Sequence, residues 1–259
     1  MTGLAGRRYW LVGASTGIGR QLALRLAREG AAVAASARDE AALLSLVEEM
    51  QPARTGRGGH AAVALDVTDS SATLRAFRDV GPVDGVIYCA GAYEPMSARR
   101  PDLHSLERIV DVNLTGALRV LAACVPEFCS RGAGHVLLVG SLAGCRGLPD
   151  AWGYGATKAA LMHLAECLRC DAGGSGVKVQ ICSPGFVATR LTAKNRFRMP
   201  FIMTPEAAAG RIVRGMAQRR FEIAFPFVMA VAFRLLSALP RPLHFRLFAR
   251  GAGHRRRIP

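Results

Sequence analysis

Short apolar segments alternate with longer amphipathic ones from the start of the chain. Six of the apolar segments carry few charges on either face, at residues 9–13, 31–36, 61–65, 83–89, 135–141 and 177–183. Strands that are apolar on both faces are typical of a parallel sheet covered by helices. A seventh strand is predicted at residues 221–225, where the repeating pattern ends.

The segments between these strands carry helix-start signals. Cap and first-turn residues mark three helices: Asp39 before 40–50, Ser70 or Ser71 before 73–79, and Thr204, Pro205 and Glu206 before 207–219. The alternation predicts an α/β domain with a doubly wound, parallel seven-stranded sheet of Rossmann type, flanked by helices. We expect this domain to span residues 1–225, with a substrate loop at about 184–203 and a helical extension at 226–259.

Composition limits the class of protein. Of the 259 residues, 51% are apolar and 20% are charged, which is enough material for a packed core and excludes a disordered chain. Seven scattered cysteines indicate a reducing compartment rather than a disulfide framework. The first nine residues contain no signal-peptide pattern, so we expect a cytoplasmic protein.

The positive charge is concentrated near the C-terminus. The chain has a net charge of +15, and residues 190–259 hold 15 Lys or Arg against 2 Asp or Glu. This asymmetry argues against a nucleic-acid binder and for one locally basic surface.

A glycine-rich turn follows the first predicted strand. The sequence Gly13-Ala14-Ser15-Thr16-Gly17-Ile18-Gly19 leads directly into an amphipathic helix. Glycines let the backbone approach a pyrophosphate, whose charge is met by N–H groups at the helix N-terminus. A purely structural turn is the alternative.

The end of the second strand indicates which dinucleotide is bound. An NAD-specific site has a carboxylate there for the ribose 2′-hydroxyl, whereas this chain has Ala37 and then Arg38. A guanidinium can bind a 2′-phosphate, so the sequence favours NADP(H), and Asp39 is interpreted as a helix cap. The alternative is an arginine that only stacks on the adenine.

Ser141, Tyr154 and Lys158 are candidates for proton transfer. Ser141 closes a predicted strand, and Tyr154 and Lys158 are four residues apart on one face of a helix predicted to reach about residue 171. A phenol titrates near pH ~10, so work at neutral pH requires its pKa to fall by roughly 3 units, much of which a nearby ammonium can supply. The alternative is a surface Tyr–Lys pair beside an ordinary strand-end serine.

These features occur in one order along the chain, together with Asn113 and with Pro184-Gly185. The chain resembles the short-chain dehydrogenase/reductase family, in its single-domain form, over roughly residues 5–225. The resemblance implies that Tyr154 is the general acid/base, that Lys158 lowers its pKa and holds the nicotinamide ribose, and that Ser141 orients the carbonyl or hydroxyl. It also implies that Asn113 keeps a water in a relay from Lys158 to solvent.

The expected cofactor site combines the glycine turn, the end of the second strand and the positions that the resemblance adds. It consists of Gly13, Ser15, Thr16, Gly17, Ile18, Gly19, Ser36, Arg38, Asp66, Val67, Cys89, Ala90, Gly91, Tyr154, Lys158, Pro184, Gly185, Val187 and Thr189. Cys89 departs from the family's usual Asn-Ala-Gly, and we expect a local repacking there with activity retained.

The activity implied is an NADP(H)-dependent oxidoreductase that interconverts a ketone and a secondary alcohol. The alternatives are a cofactor-binding sensor or scaffold without significant turnover, and an NAD-dependent alcohol dehydrogenase of the same fold. We expect an apolar, lipid-like small-molecule substrate, no metal and a homodimer or homotetramer. Cys167 and Cys170 are interpreted as a packed core pair rather than zinc ligands, because no second pair has the spacing to complete a site.

The C-terminal extension mixes apolar residues with arginine. Its uncharged run, residues 223–233, has 11 residues, short of the about 20 that a spanning helix needs. This pattern fits a helical hairpin lying in a membrane interface, which would attach the protein to the inner face of the membrane. It also fits a contact between subunits with a basic tail, and packing within the chain.

Overall fold

The computed structural model describes residues 3–51 and 58–254. Within these ranges seven strands are present: β1 (Arg8–Val12), β2 (Ala32–Ala37), β3 (Ala61–Ala64), β4 (Gly85–Tyr88), β5 (Gly134–Val139), β6 (Val177–Pro184) and β7 (Glu222–Phe225). They form one parallel sheet in the order β3-β2-β1-β4-β5-β6-β7. The predicted Rossmann-type sheet is confirmed.

Nine α-helices are found in the described part of the chain. They are α1 (Gly17–Arg28), α2 (Glu40–Met50), α3 (Ser70–Val80), α4 (Leu103–Val110), α5 (Gly116–Ser130), α6 (Trp152–Asp171), α7 (Pro205–Met216), α8 (Phe227–Ala238) and α9 (Arg241–His254). A π-helical turn, Asp111–Thr115, joins α4 to α5, and a 3₁₀ turn, Leu142–Gly144, follows β5.

The core has two layers, one on each face of the sheet. In β1, Tyr9 and Leu11 pack with α1, α2 and α7, whereas Trp10 and Val12 pack with α3, α5 and α6. Successive side chains of a strand point to opposite faces, so a strand buried on both sides must be apolar at every position. This explains why the strands could be recognised as uninterrupted apolar runs.

Two of the predicted helix starts are confirmed and one is wrong. The Asp39 side chain accepts a hydrogen bond from the Ala42 N–H, and the Thr204 hydroxyl accepts one from the Ala207 N–H. The cap of α3 is Asp69, whose carboxylate accepts from the Ala72 N–H at 2.9 Å, rather than Ser70 or Ser71. A carboxylate is both a stronger acceptor and a better partner for the helix dipole, so it takes the cap position.

The strand order reverses direction between β1 and β4, which are neighbours in the sheet. In open α/β sheets the crevice at such a reversal, at the carboxyl ends of the strands, is where ligands bind. Here the loops after β1, β4, β5 and β6 all reach this crevice.

After β7 the chain continues into α8 and α9. Met229 and Ala230 of α8 pack against Leu142, in the turn that follows β5. The arginines predicted to form the basic tail, residues 255–257, lie outside the described residues.

Candidate active site

Two glycines of the β1–α1 turn are required by close backbone contacts. Gly13 has a φ of +92°, and a Cβ placed on it would lie 2.4 Å from the backbone nitrogen of Ala90. A Cβ on Gly19 would lie 2.0 Å from the backbone oxygen of Gly13. Side chains at either position would push the turn apart, so the glycines shape the floor of the crevice.

The N-terminus of α1 opens into this crevice. Its cap residue, Thr16, makes no side-chain capping bond, and its first turn contains no acidic residue. The first N–H groups of a helix are unpaired donors at the positive end of the helix dipole, so this end can bind an anion. The Arg190 guanidinium adds a cation here, because its Nη2 donates to the Thr16 hydroxyl at 3.1 Å.

Asp39 and Arg38, which follow β2, both line the crevice. Asp39 caps α2, whereas Arg38 is exposed at the rim of the crevice. In the part of the chain that the structure describes, no hydrogen bond or ion pair holds the Arg38 guanidinium, which leaves it available to an anion.

Ser36 does not line the crevice, contrary to expectation. It is fully buried, and its hydroxyl accepts a hydrogen bond from the Trp10 indole at 2.9 Å. Its backbone oxygen accepts the N–H groups of Gly13 and Ala14 at 2.7 and 3.1 Å. Ser36 therefore fixes the glycine turn instead of contacting a ligand.

Tyr154, Lys158 and Ser141 meet at the other end of the crevice. Tyr154 and Lys158 lie one turn apart on α6, and the Lys158 ammonium is 5.6 Å from the centre of the Tyr154 ring. Lys158 is buried and donates to the backbone oxygen of Val139 at 2.9 Å. Ser141 follows β5, and its hydroxyl hydrogen-bonds with Tyr154. The structure therefore brings together the three groups expected to act in proton transfer.

Burial governs the protonation of this group. It raises the pKa of Tyr154 to about 12, against the lowering effect of the Ser141 hydrogen bond, and it lowers the pKa of Lys158 to about 8. The expected fall in the phenol's pKa is therefore reversed in the protein alone. The cost of desolvating the phenolate is larger than the stabilisation that neighbouring protein groups give it, so another positive charge is needed to lower the pKa of Tyr154.

Asn113 lies behind the crevice rather than in its wall. It is buried in the π-helical turn, and its Oδ1 accepts from the Ala92 N–H at 2.6 Å. Its Nδ2 donates to the Ala92 oxygen and to the Thr157 hydroxyl, both at 3.0 Å. These bonds pin the loop after β4, and the predicted water relay stays a prediction.

Cys89 occupies the first position of that loop. Its N–H donates to the Val12 oxygen at 2.8 Å, which continues the pairing of β4 with β1. Burial raises the pKa of the Cys89 thiol to about 11 in spite of Lys158 nearby, so the thiol stays neutral. Cysteine is accommodated here without loss of the strand register.

The crevice is a continuous cavity of about 640 Å³. Ser141 lines it, and so does every residue of the expected cofactor site except Ser36. The lining residues of that site are Gly13, Ser15, Thr16, Gly17, Ile18, Gly19, Arg38, Asp66, Val67, Cys89, Ala90, Gly91, Tyr154, Lys158, Pro184, Gly185, Val187 and Thr189. A cavity of this size is within the range of small-molecule and cofactor sites.

Several lining residues were not expected from the sequence. Tyr93 packs edge-on against Tyr154, with ring centres 4.9 Å apart, and donates to Asn195 Oδ1 at 2.6 Å. Lys194 pairs with Glu94, so two contacts fasten the substrate loop to the loop after β4. Lys194 and Arg190 are cations of the substrate loop and can be located from the sequence, whereas no sequence pattern points to Tyr93.

The cysteine pair of α6 lies away from this site. Cys167 and Cys170 are both exposed, so their interpretation as packed core residues is wrong. Within residues 3–51 and 58–254, no group of three or more His, Cys, Asp or Glu side chains is arranged to hold a metal ion.

Comparisons with known proteins agree with this geometry. The family model described as short chain dehydrogenase matches residues 9–199. An uncharacterized oxidoreductase of Myxococcus xanthus is 39% identical over 247 residues, which cover 94% of this chain and 96% of that protein. The ketoacyl reductase HetN of Nostoc is 31% identical over 86% of this chain and 79% of that protein. A short-chain dehydrogenase from Sphingobium yanoikuyae, solved in complex with NADPH, superposes with a TM-score of 0.80 at 25% identity, covering 92% of this chain and 94% of that chain.

Proposed function

The chain belongs to the short-chain dehydrogenase family, and on that premise we propose that it is an NADP(H)-dependent oxidoreductase interconverting a ketone and a secondary alcohol. One observation carries the proposal. A single cavity holds an anion-binding helix end and glycine cradle at one side and the Ser141–Tyr154–Lys158 group at the other. Such a cavity suits a long ligand with phosphates at one end and a reacting group at the other.

The residues present fit a nicotinamide dinucleotide. Gly13 and Gly19 leave room where side chains would block the approach of a pyrophosphate, and the unpaired N–H groups of α1 face that space. Asp66 and Val67, after β3, line the cavity, as do Gly185 and Thr189 of the loop after β6, and Thr189 lies beside Gly17 of the glycine turn. The NADPH complex of the Sphingobium yanoikuyae neighbour supports this assignment.

Arg38 supports a preference for NADP(H). Its guanidinium is exposed at the cavity rim, and the neighbouring carboxylate of Asp39 is committed to the Ala42 N–H. A guanidinium pairs with a phosphate in fork geometry, whereas a ribose hydroxyl would give it only a neutral partner.

Each residue of the catalytic group has a task that follows from its position. Ser141 donates a hydrogen bond to the substrate oxygen, and the Tyr154 oxygen gives or takes the proton of that oxygen. Lys158, with a pKa near 8, carries its positive charge at neutral pH and binds a ribose hydroxyl. When bound, the nicotinamide supplies the hydride and, in its oxidised form, the additional positive charge that a buried phenol with a pKa near 12 requires.

Aromatic residues in the cavity wall and in the adjoining substrate loop support an apolar substrate. Tyr93 lies against Tyr154, and Phe186 packs edge-on against Phe197 of the substrate loop, with ring centres 5.8 Å apart. The name of the Nostoc relative, a ketoacyl reductase, supports a ketone on an acyl chain. We propose a 3-oxoacyl thioester or a similar lipid-like ketone as the first substrate class to test.

Substitution of Tyr154 by Phe tests the reaction. A panel of 3-oxoacyl thioesters and apolar ketones is screened for consumption of NADPH, and the best substrate is used for Tyr154→Phe. We expect turnover to fall by about 10²–10⁴, the usual contribution of a positioned acid/base, with NADPH binding retained. Tyr9→Phe is the matched control, because it removes a buried phenol oxygen far from the cavity. Turnover of Tyr154→Phe within about tenfold of the parent would contradict the assigned role. Tight NADPH binding with no substrate consumed across the panel would favour a cofactor sensor.

Substitution of Arg38 by Asp tests the cofactor preference. We expect the Kd for NADPH to rise at least tenfold while the Kd for NADH changes little, because only the former loses a charged partner. Arg28→Asp, on the exposed end of α1, makes the same change in net charge away from the cavity and controls for it. A parent protein that binds NADPH and NADH equally well would exclude the preference.

A further inference from the structure

The two C-terminal helices carry a large exposed apolar surface. Its six side chains are 48–75% exposed, and we call them the extension surface: Phe227, Val228 and Leu235 of α8, and Leu243, Phe245 and Leu247 of α9. Isolated exposed leucines are ordinary in globular proteins, whereas six exposed apolar side chains on two consecutive short helices favour an interaction site.

The opposite sides of the same helices are firmly held. Met229 and Ala230 pack on Leu142, and the Arg146 guanidinium donates to the backbone oxygens of Ser237 and Leu239 at 3.2 and 3.0 Å. In α9, His244 is buried and its Nε2 donates to the Gly147 oxygen at 3.0 Å. The extension surface therefore faces outward from anchored helices and is not the inner face of a detached segment.

The charge of this region is of one sign. Residues 223–259 contain seven arginines and no Asp or Glu. Arg246 lies beside Leu243 and Leu247 on the exposed side of α9. A second copy of this chain docked on the same surface would bring like charges together, which opposes association. A partner that has both an apolar layer and negative charge complements the extension surface better.

The length of the helices decides how they can meet a bilayer. α8 has 12 residues and α9 has 14, and Pro240 lies between them, so neither reaches the about 20 residues needed to cross. The stretch Leu103–Ser130 is longer, with a mean hydropathy of 1.5, but its α5 part packs in the core against the sheet. Short apolar helices flanked by arginine are suited to lie in the plane of the interface.

We propose that α8 and α9 dock on an anionic lipid bilayer through the extension surface. Phe227, Val228 and Leu235 would enter the headgroup region together with the α9 residues, while the exposed Arg241 and Arg246 pair with lipid phosphates; Arg234 is already paired with Glu222. The substrate loop adjoins this region, because Phe186 packs in the same cluster as Met229 and contacts Phe197. The docked protein thus holds its substrate loop close to the lipid phase. The binding itself does not depend on the catalytic proposal.

Co-sedimentation of the full chain with vesicles tests the docking. Vesicles of phosphatidylcholine alone are compared with an equimolar mixture of phosphatidylcholine and phosphatidylglycerol, at low and high salt. We expect binding to the mixed vesicles and weaker binding to the neutral ones. The double variant Leu243→Asp with Leu247→Asp should bind at least tenfold more weakly.

A matched pair of exposed leucines separates docking from general charge attraction. Leu44 on α2 and Leu74 on α3 are each 53% exposed, so Leu44→Asp with Leu74→Asp changes net charge equally, away from the extension surface. This control should bind within twofold of the parent. Circular dichroism confirms that both variants fold. Phe245→Trp gives a second readout, since its emission should be quenched by brominated lipids.

Three outcomes would overturn the proposal. Equal loss of vesicle binding in both double variants would show that the change in net charge alone causes the loss. Absence of binding by the parent protein to the mixed vesicles would leave no docking to explain. If the Leu243→Asp, Leu247→Asp variant still bound vesicles but dissociated into smaller species by light scattering, the surface would be an interface between copies of the chain.

Discussion

A buried histidine near the amino end of β5, at the opposite end of the strand from the candidate active site, should set the acid stability of the protein. His135 on β5 lies between Tyr9 and Gln180, with its Nδ1 3.2 Å from the Tyr9 hydroxyl and its Nε2 2.9 Å from Gln180 Oε1. The Gln180 amide nitrogen donates to the carbonyls of Gly215, Gln218 and Arg220, so its oxygen must accept from His135. Nε2 therefore carries the proton of a neutral ring, and Nδ1 accepts from Tyr9.

The pKa of His135 determines the size of the effect. Burial lowers it to about 3, assisted by the charges of Lys178 and Arg7 and opposed by the Gln180 hydrogen bond. In the unfolded chain the same ring has a pKa near 6.5. As the pH falls below that value, the unfolded chain binds a proton at this ring, whereas the folded protein does not. The free energy of unfolding should therefore fall by about 1.4 kcal/mol per pH unit until about pH 3, which amounts to about 2 kcal/mol at pH 5.

Urea unfolding at pH 7 and pH 5 measures this loss. Because carboxylates also titrate, the quantity of interest is the difference in pH dependence between the parent and His135→Gln, which cannot take up the proton. We expect the variant to lose about 2 kcal/mol less than the parent between the two pH values. His163→Gln, at an exposed position of α6, makes the same substitution away from the buried network and serves as the control. If His135→Gln and the parent lost the same free energy, the neutral buried ring would not be responsible.

Three further predictions concern the cavity. Gly19→Ala should raise the Kd for NADPH at least tenfold in a folded protein, because its Cβ would lie 2.0 Å from the Gly13 oxygen; unchanged affinity in a fluorescence titration would contradict the cradle. Arg190→Ala should raise the Kd for NADPH severalfold, and Arg190→Lys should raise it much less, because lysine keeps a cation next to Thr16. Equal Kd values for both variants and the parent would exclude this contact. Asn113→Ala leaves the Ala92 N–H and C=O without their partner and should lower the free energy of unfolding by about 1–3 kcal/mol in urea; no measurable loss would show that the loop holds itself.

The sheet could be predicted because its central strands, such as β1, β2 and β4, are almost entirely buried and are therefore apolar at nearly every position. The glycine turn and Arg38 could then be placed, because they follow the ends of β1 and β2. Helix caps were less certain, because Asp69, Ser70 and Ser71 are adjacent and all three residue types can cap.

The sequence was least informative where a residue's environment depends on contacts with distant parts of the chain. Ser36 was assigned to the cofactor because it ends β2, but its partner is Trp10 on the neighbouring strand, 26 residues earlier. The spacing of Tyr154 and Lys158 placed a cation near the phenol but did not reveal how fully the site is buried, and burial raises the pKa of Tyr154 in the protein alone. The contact of Tyr93 with Tyr154 likewise depends on how two loops fold over the cavity.

The cysteines of α6 show a different kind of error. The buried residues of this helix include Thr157, Lys158, Leu161 and Ala165, which follow the helical repeat. Cys167 and Cys170 fall outside that stripe and are exposed. Residue type suggested burial, whereas the repeat counted from Lys158 would have placed both on the outer side.

The bonds from Arg146 to the end of α8 tie that helix to the segment that begins at Ser141. Deleting the residues beyond β7 would uncover Leu142, the residue after Ser141, and leave Arg146 without these two partners. We expect a protein shortened in this way to lose activity whether or not the parent protein binds a membrane. The extension thus supports the segment after β5 and also forms an exposed surface. Single side-chain changes can separate these two roles, whereas truncation removes both.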